Sequence, residues 1–247
     1  MISGHEIAGK VVRVGNNVKE FKQGDRVGVG AQVWSCMECN RCKNDRENYC
    51  PKQVDTYNAK YPDGSVAQGG YATATRVHQQ FVFRIPDNLP DEDACSMMCG
   101  GLTVFAPMQD AGVGPGKKVG IIGIGGLGMS IVRLTCVVRA IDKRAGHYAV
   151  QFAKAMGAEV TAFTHQEDKV EDAKKMGATH TILTSDEDWT KKTPYEYDFI
   201  LSTVDEAKAV PLADLFSLLT VQGTLVSIPS MSVLPKLTSN VALRWLP

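Results

Sequence analysis

Four cysteines, Cys36, Cys39, Cys42 and Cys50, stand close together on one short stretch of this chain, spaced C-x2-C-x2-C-x7-C. Thiolates at that spacing on a short polar loop can surround one tetrahedral zinc ion and leave no open position, the structural kind of zinc site. Arg41, Lys43 and Arg46 stand among them and favour the thiolate forms. Four thiolates also suit iron, so an iron–sulfur cluster is the competing reading. Four unrelated buried cysteines fit poorly with so polar a loop. A second constellation is Gly123-Ile124-Gly125-Gly126-Leu127-Gly128, spaced G-x-G-x-x-G. Its glycines let backbone N–H groups approach a pyrophosphate, with the next helix's N-terminus aimed at the charge. Alone such a run is only a turn, and a non-binding α/β domain is the alternative. An apolar strand before it and a βαβ series after it strengthen the dinucleotide reading.

The elements that must position these groups change character along the chain. Residues 7–15, 24–29, 69–72 and 81–85 read as short strands separated by Gly, Asn and Pro turns, a small and partly closed all-β module. From Asp91 an acidic helix start leads into a small-residue apolar segment ending at Ala111. Strand Lys117–Ile122 precedes the glycine turn. Beyond it the pattern predicts helix 149–156, strand 160–163, helix 171–176, strand 181–183, strand 199–203, helix 212–219 and strand 224–228, hence a parallel sheet.

Composition narrows the function classes. Lysine plus arginine number 27 and aspartate plus glutamate 27, so no electrostatic case exists for a nucleic-acid or membrane-surface binder. The longest uncharged run, Leu215–Pro235, is broken by Pro229, Gln222-Gly223 and several serines, too polar to span a bilayer. Met1 leads straight into Ser3, Gly4, His5 and Glu6, with no apolar signal core, and the reading is a cytoplasmic chain.

One spacing disagrees with the glycine fingerprint. The residue meeting the adenosine ribose belongs roughly 20 positions beyond the first glycine, whereas the matching strand end, Phe163-Thr164, lies about 40 positions on. Removing Met129–Gly146 joins Gly128 to His147 and restores the spacing. That segment, rich in β-branched residues, reads as an insertion of the kind a translated in-frame intron would give. It is expected to loop out, the helix resuming near His147 because Ala149, Phe152, Ala153 and Met156 still require burial. A longer continuous helix is the alternative.

Together the motifs resemble the zinc-containing medium-chain alcohol dehydrogenases, most closely their NADP-dependent cinnamyl-alcohol-dehydrogenase type. The resemblance rests on Gly4-His5-Glu6-x2-Gly9-x5-Gly15-x2-Val18, Gly24-Asp25-Arg26-Val27-Gly28, Gly30-Ala31-Gln32, the four-cysteine lobe, Gly69-Gly70-Tyr71-Ala72, Cys99-Gly100-Gly101-Leu102-Thr103-Val104 and Gly123–Gly128, in that order. It implies an α/β protein with a GroES-like β-rich catalytic domain over 1–108, the zinc lobe at 36–50, and a doubly wound Rossmann domain over 109–247, both incomplete. The implied activity is hydride transfer between NADP(H) and a primary alcohol or aldehyde. Zinc would be structural at Cys36, Cys39, Cys42 and Cys50, and catalytic at His5 and Cys99 with Glu6 close by. Thr103 would lie near the nicotinamide, Gly123, Gly125, Gly126, Leu127 and Gly128 at the pyrophosphate, and Ser202 and Thr203 on the adenosine side. Cys95 and Cys136 have no place in the pattern and are read as buried thiols.

An NAD site wants an acidic residue at the second strand's end; here Thr164 and His165 could donate to a 2′-phosphate and Lys169 could neutralise it, which favours NADP. Glu167 and Asp168 count against this if they turn inward. The family's first catalytic cysteine belongs well before Gly4-His5-Glu6, and its dimer-forming strand follows the last residues here. The chain is therefore expected to be truncated at both ends and, as written, nearly inactive. The competing reading is a non-catalytic remnant that keeps only the structural zinc fold. A zinc-free quinone reductase is disfavoured by the cysteine lobe.

Overall fold

The computed structural model describes residues 1–124, 137–204 and 212–228, with backbone alone for 137–145 and Leu212. The chain divides into two compact units, Met1–Cys99 and Gly100–Pro247. In the first, β1 (Ile7–Lys10) pairs antiparallel with β2 (Arg26–Val29), which pairs with the short β5 (Phe83–Arg84). A separate ribbon joins β3 (Gln32–Trp34) to β4 (Val54–Asp55). Val29, Val33, Val54, Tyr61 and Ala67 form its core. Gly69–Ala72, expected as a strand, is irregular: the Gly69, Gly70 and Tyr71 amides donate to the carbonyls of Ile2, Gly4 and Ser3 at 2.8, 2.9 and 3.1 Å. The segment serves as a clamp over the residues leading into His5 rather than as a ladder strand. Helix α1 (Asp91–Ser96) closes the unit, its first turn carrying Asp91, Glu92 and Asp93 where negative charge meets the helix's positive end. Asp91 also takes a 2.6 Å ion pair from Arg26 on β2.

The second unit is a five-stranded parallel sheet in the order β10-β9-β6-β7-β8. Its strands are β6 (Lys118–Ile122), β7 (Glu159–Thr164), β8 (His180–Leu183), β9 (Tyr197–Ser202) and β10 (Leu219–Ser227). The sequence places these elements to within a few residues. Strands β6, β7 and β9 are buried over nearly their whole length, which is why they read as continuous apolar runs instead of alternating ones. One face packs on Val104 and Met108 of α2 (Leu102–Asp110) and on Ala149, Val150 and Ala153 of α3 (Val137–Ala155). The other packs on Leu215 and Leu218 of α5 (Leu212–Leu218), with Phe163, Trp189 and Tyr197 stacked edge to face. Helix α4 (Lys169–Lys175) links β7 to β8. The order reverses at β6, so the carboxyl ends of β6 and β9 form the topological switch point of the sheet.

The two units divide at Cys99/Gly100, so α2 lies with the sheet: Val104 and Met108 are fully buried there and Phe105 meets Phe152 edge on at 5.6 Å. The expected loop is corrected: residues 137–146 do not loop out, and α3 is helical from Val137. Arg139, Ala140, Lys143, Arg144 and Ala145 are good helix formers, and extending a helix already nucleated by buried Ala149 and Ala153 needs no new nucleus. Residues 129–136 of the expected insertion, Cys136 among them, lie outside the described residues. Cys95 is half-exposed rather than buried, its Sγ 3.3 Å from the Glu92 carbonyl.

The central strand is anchored at its start by Asp198, whose carboxylate accepts from the Lys118 amide at 2.9 Å and from Lys117 Nζ at 2.9 Å. The hydrogen bond from the Lys118 amide, more than the lysine, holds its carboxyl below the usual carboxylate value. A depressed folded pKa contributes stability that is complete above the ordinary carboxylate range and is lost as pH falls through the folded value. Asp198→Asn should therefore lower the unfolding free energy by about 1 kcal/mol at neutral pH. The difference from wild type should narrow below about pH 4. Urea unfolding at the two pH values checks this; an equal loss at both would remove the charge from the explanation.

Candidate functional site

The cysteine lobe is built by short-range geometry. The chain leaves β3 at Trp34, and two 3-10 turns, Cys42–Asn44 and Glu47–Tyr49, bring the last two thiols back onto the first two. The sulfurs of Cys36 and Cys50, and of Cys39 and Cys42, are 3.5 Å apart; those of Cys36 and Cys42, and of Cys39 and Cys50, are 4.0 Å apart. Four sulfurs about 2.3 Å from one tetrahedral ion lie roughly 3.8 Å from one another, so the spacing suits a single zinc ion. A cluster of several irons is wider than one ion and fits less well. Backbone amides prepare the site for charge: Cys39 N–H points at Cys36 Sγ (3.4 Å), and Cys36 and Lys52 N–H point at Cys50 Sγ (3.5 and 3.4 Å). The Cys36 thiol is lowered to about 6, chiefly by the Glu38 backbone N–H. Sequence reasoning assigned that effect to Arg41, Lys43 and Arg46, but Arg41 directs its guanidinium to the Tyr49 carbonyl.

Among the described residues, this is the group of three or more His, Cys, Asp or Glu whose ligand atoms converge. His5, Glu6 and Cys99 are not brought together in that way. His5 sits just before β1 and stacks on Tyr57, centroids 6.0 Å apart, a neighbour that no motif announced. Cys99 lies in a π-helical turn, Met97–Gly101, a distortion that recurs at functional sites. In the same turn Met98 crosses Gly28 and Gly30: a Cβ on Gly28 would stand 2.3 Å from Met98 Cε.

In the sheet unit, Gly123 ends β6 with φ +94°. A Cβ there would stand 2.6 Å from Thr203 Oγ1, whose hydroxyl lies 2.9 Å from the Gly123 carbonyl and 3.2 Å from that of Ile122. Buried Ser202 and Thr203 thus line the reversal point at the end of β9. Gly125, Gly126, Leu127 and Gly128 lie outside the described residues. Thr103 is half-buried on α2. At the end of β7, Thr164 is buried and its Oγ1 accepts from the Gln166 amide at 3.2 Å. His165 is exposed, as are Glu167 and Asp168. Lys169 is not extended toward solvent; it is buried, with Nζ 3.7 Å from Asp172. The residue that sequence reasoning missed is Gly146, which packs against Gly123; its signal was a glycine at the far end of the supposed insertion, of the same type as Gly128 at the near end.

Residues 1–87 match the family model "Alcohol dehydrogenase GroES-like domain", and residues 145–243 match "Zinc-binding dehydrogenase". With the cysteine lobe and the parallel sheet, these matches establish that the chain belongs to the zinc-containing medium-chain alcohol dehydrogenases, of the cinnamyl-alcohol-dehydrogenase-like type. It is 44% identical over 230 residues to "NADP-dependent alcohol dehydrogenase 6" of Saccharomyces cerevisiae, covering 92% of this chain and 59% of that protein. It is 41% identical over 231 residues to "Cinnamyl alcohol dehydrogenase 3" of Arabidopsis thaliana, covering 92% and 56%. The fold superposes with TM-score 0.75 on a solved cinnamyl alcohol dehydrogenase of Helicobacter pylori complexed with NADP(H), 37% identical, covering 96% of this chain and 62% of that one. The chain thus spans about 60% of the length of such relatives. No helix among the described residues is long and apolar enough to cross a membrane.

The purified protein should hold one tightly bound zinc in the cysteine lobe, and Cys39→Ser, Cys42→Ser should release it. Metal analysis with a chelator-titrated dye checks this; a double variant that keeps its full zinc content would overturn the assignment.

Proposed function

We propose that this chain carries the fold of an NADP(H)-dependent zinc alcohol dehydrogenase that interconverts a primary alcohol and an aldehyde, aromatic or aliphatic. The single observation that carries the reading is the joint occurrence of a four-sulfur lobe sized for one ion and a reversal point in a parallel sheet ending at Gly123. The relatives, named as NADP-dependent and cinnamyl alcohol dehydrogenases, support it and do not favour a non-catalytic remnant. Zinc at the lobe would hold the loop between β3 and β4 in place. A second zinc, held by His5 and Cys99 with Glu6 near, would supply a Lewis acid for the substrate oxygen.

NADP(H) is the cofactor this reading favours. Thr164 and His165 supply donors at the end of β7, where an NAD site wants an acidic residue, and Glu167 and Asp168 are exposed rather than turned inward. Lys169 reaches a 2′-phosphate only by leaving Asp172, so the donors and not the lysine carry the preference.

NADPH oxidation with aromatic and aliphatic aldehydes tests the proposal on the zinc-loaded chain, expected to be nearly inactive, and on a chain lacking Met129–Gly146 and extended at both ends to the length of its relatives. In the extended chain we expect NADPH to be preferred to NADH at least tenfold, and His5→Ala to lower aldehyde-dependent turnover about a hundredfold or more while the cysteine lobe keeps its zinc. Turnover indifferent to His5→Ala would remove it from the metal site. A preference for NADH would reverse the cofactor choice.

A further inference from the structure

The chain holds one Asp-Gly step, Asp63-Gly64, and no Asn-Gly step. Asp63-Gly64 forms the tip of a small hairpin whose stem is the antiparallel bridge between Lys60 and Val66. Along that stem Tyr61 N–H donates to the Ser65 carbonyl and Ala67 N–H to the Ala59 carbonyl, both at 2.9 Å. The turn itself is Tyr61-Pro62-Asp63-Gly64: Pro62 presets the second position, and Gly64 N–H closes on the Tyr61 carbonyl at 2.9 Å. Gly64 has φ +81°, and among the described residues a Cβ on it would meet nothing within 4 Å, so no neighbour crowds this step.

An Asp-Gly step carries its own chemistry. The glycine nitrogen can attack the preceding side-chain carboxyl carbon and close a five-membered imide. The N–Cγ bond forms as a Cγ–O bond breaks, and the amide proton leaves with that oxygen as water. Water then reopens the imide at either carbonyl, which returns aspartate or leaves isoaspartate, whose main chain is one carbon longer. Water is the only co-reactant.

Closure needs a neutral carboxyl, because a carboxylate is a poor electrophile, and a side chain free to rotate toward the Gly64 nitrogen. The hairpin opposes both. Asp63 Oδ1 accepts from the Ser65 amide at 2.9 Å and from Ser65 Oγ at 2.5 Å, while Oδ2 accepts from Arg76 at 3.1 Å. Arg76 also donates to Ser65 Oγ at 2.6 Å, and its guanidinium carbon stands 4.2 Å from the centre of the Tyr61 ring. Tyr61 is buried in the core with Val33 and Val54, so the cation is seated on a fixed ring. The Ser65 hydroxyl above all, then the Ser65 amide and Arg76, hold the Asp63 carboxyl at about 2 and therefore ionised.

We propose that Asp63-Gly64 is an isoaspartate-forming modification site, and that Ser65 and Arg76 hold it in check. The proposal does not depend on the catalytic reading above. Isomerisation would lengthen the turn by one carbon and break its closure between Tyr61 and Ser65. The strand leaving the hairpin runs on to Gln68, whose Oε1 accepts from the Ile2 amide at 2.8 Å, and to Gly69 and Gly70, which bind the carbonyls of Ile2 and Gly4. Damage at the tip would therefore reach the segment that enters His5.

The experiment ages the full chain at neutral pH beside Ser65→Ala, Arg76→Ala and Asp63→Glu, whose extra methylene disfavours the five-membered closure. Isoaspartate is counted with L-isoaspartyl methyltransferase and S-adenosylmethionine and located by peptide mass spectrometry, with amide exchange to report the fold. The folded wild type should form isoaspartate at residue 63 more slowly than the urea-unfolded chain. Ser65→Ala and Arg76→Ala should each speed it about threefold or more, the scale of a surface hydrogen bond or ion pair. Asp63→Glu should remove the signal. Added salt should speed the wild type and Ser65→Ala but not Arg76→Ala, because it screens the exposed Arg76–Asp63 pair; a purely structural role for Arg76 would not produce that split. Isoaspartate that maps elsewhere, or that forms as fast in the folded wild type as in the unfolded chain, overturns the proposal. Folded Ser65→Ala and Arg76→Ala chains that age at the wild-type rate overturn it too. If Arg76→Ala does not fold, Ser65→Ala and the salt response of the wild type decide: acceleration in both supports the proposal, and its lack in either refutes it.

Discussion

At the carboxyl end of β6 two backbones meet with no space for a side chain between them, the carbonyl of Gly123 on one and the α-carbon of Gly146 on the other. That approach sets the height of α3 over the sheet, and with it the depth to which Ala149, Val150 and Ala153 sink into the core. The same helix gives Phe152 to Phe105, so α2 is fastened to the sheet unit by the helix it packs against. On the neighbouring strand, Thr203 bonds to the carbonyls of Ile122 and Gly123 and fixes the turn from the other side. A larger residue at either glycine would lift the helix or push out the β9 end, and the loss would reach every residue that α3 buries.

Much of this was legible in the chain. Strands buried on both faces announce themselves by continuous apolar runs, and β6, β7 and β9 are of that kind. The cysteine lobe was legible for a different reason: its ligands all lie on one short loop between Cys36 and Cys50, so local turns suffice to gather them. What escaped was whatever depends on contacts between distant residues. Gly69–Ala72 has a strand's composition, but its amides are claimed by the carbonyls of Ile2, Ser3 and Gly4, at the opposite end of the same unit's sequence. Residues 137–146 carry β-branched side chains that argue against helix, yet they adjoin a helix that tertiary packing has already nucleated.

The cysteine lobe and the proposed second metal place contrast in the same terms. The lobe gathers its sulfurs through two short turns and has amide donors already aimed at them, so its geometry is set by the fold around the loop. His5 and Cys99 stand far apart in the chain, one at the entry to β1 and the other in a π-helical turn. Their approach depends on how the segment from Met97 to Cys99 seats against β2, where Met98 already presses on the backbone of Gly28 and Gly30. A metal bound there would have to draw on that packing, whereas a metal in the lobe would not. The lobe is therefore the more robust of the two to changes elsewhere in the chain.

On the proposed reading, the cofactor's two ends would meet separate parts of the sheet: the adenosine ribose the end of β7, the pyrophosphate the turn after β6. At the end of β7, Thr164 is buried, accepts from the Gln166 amide and pairs with Leu183, while Phe163 pairs with Ile122 and Ile182. Residues added between β6 and Gly146 leave that register intact, because Phe163 and Thr164 are paired whatever precedes Gly146. An insertion within β6 or β7 would instead have shifted the register of the sheet itself.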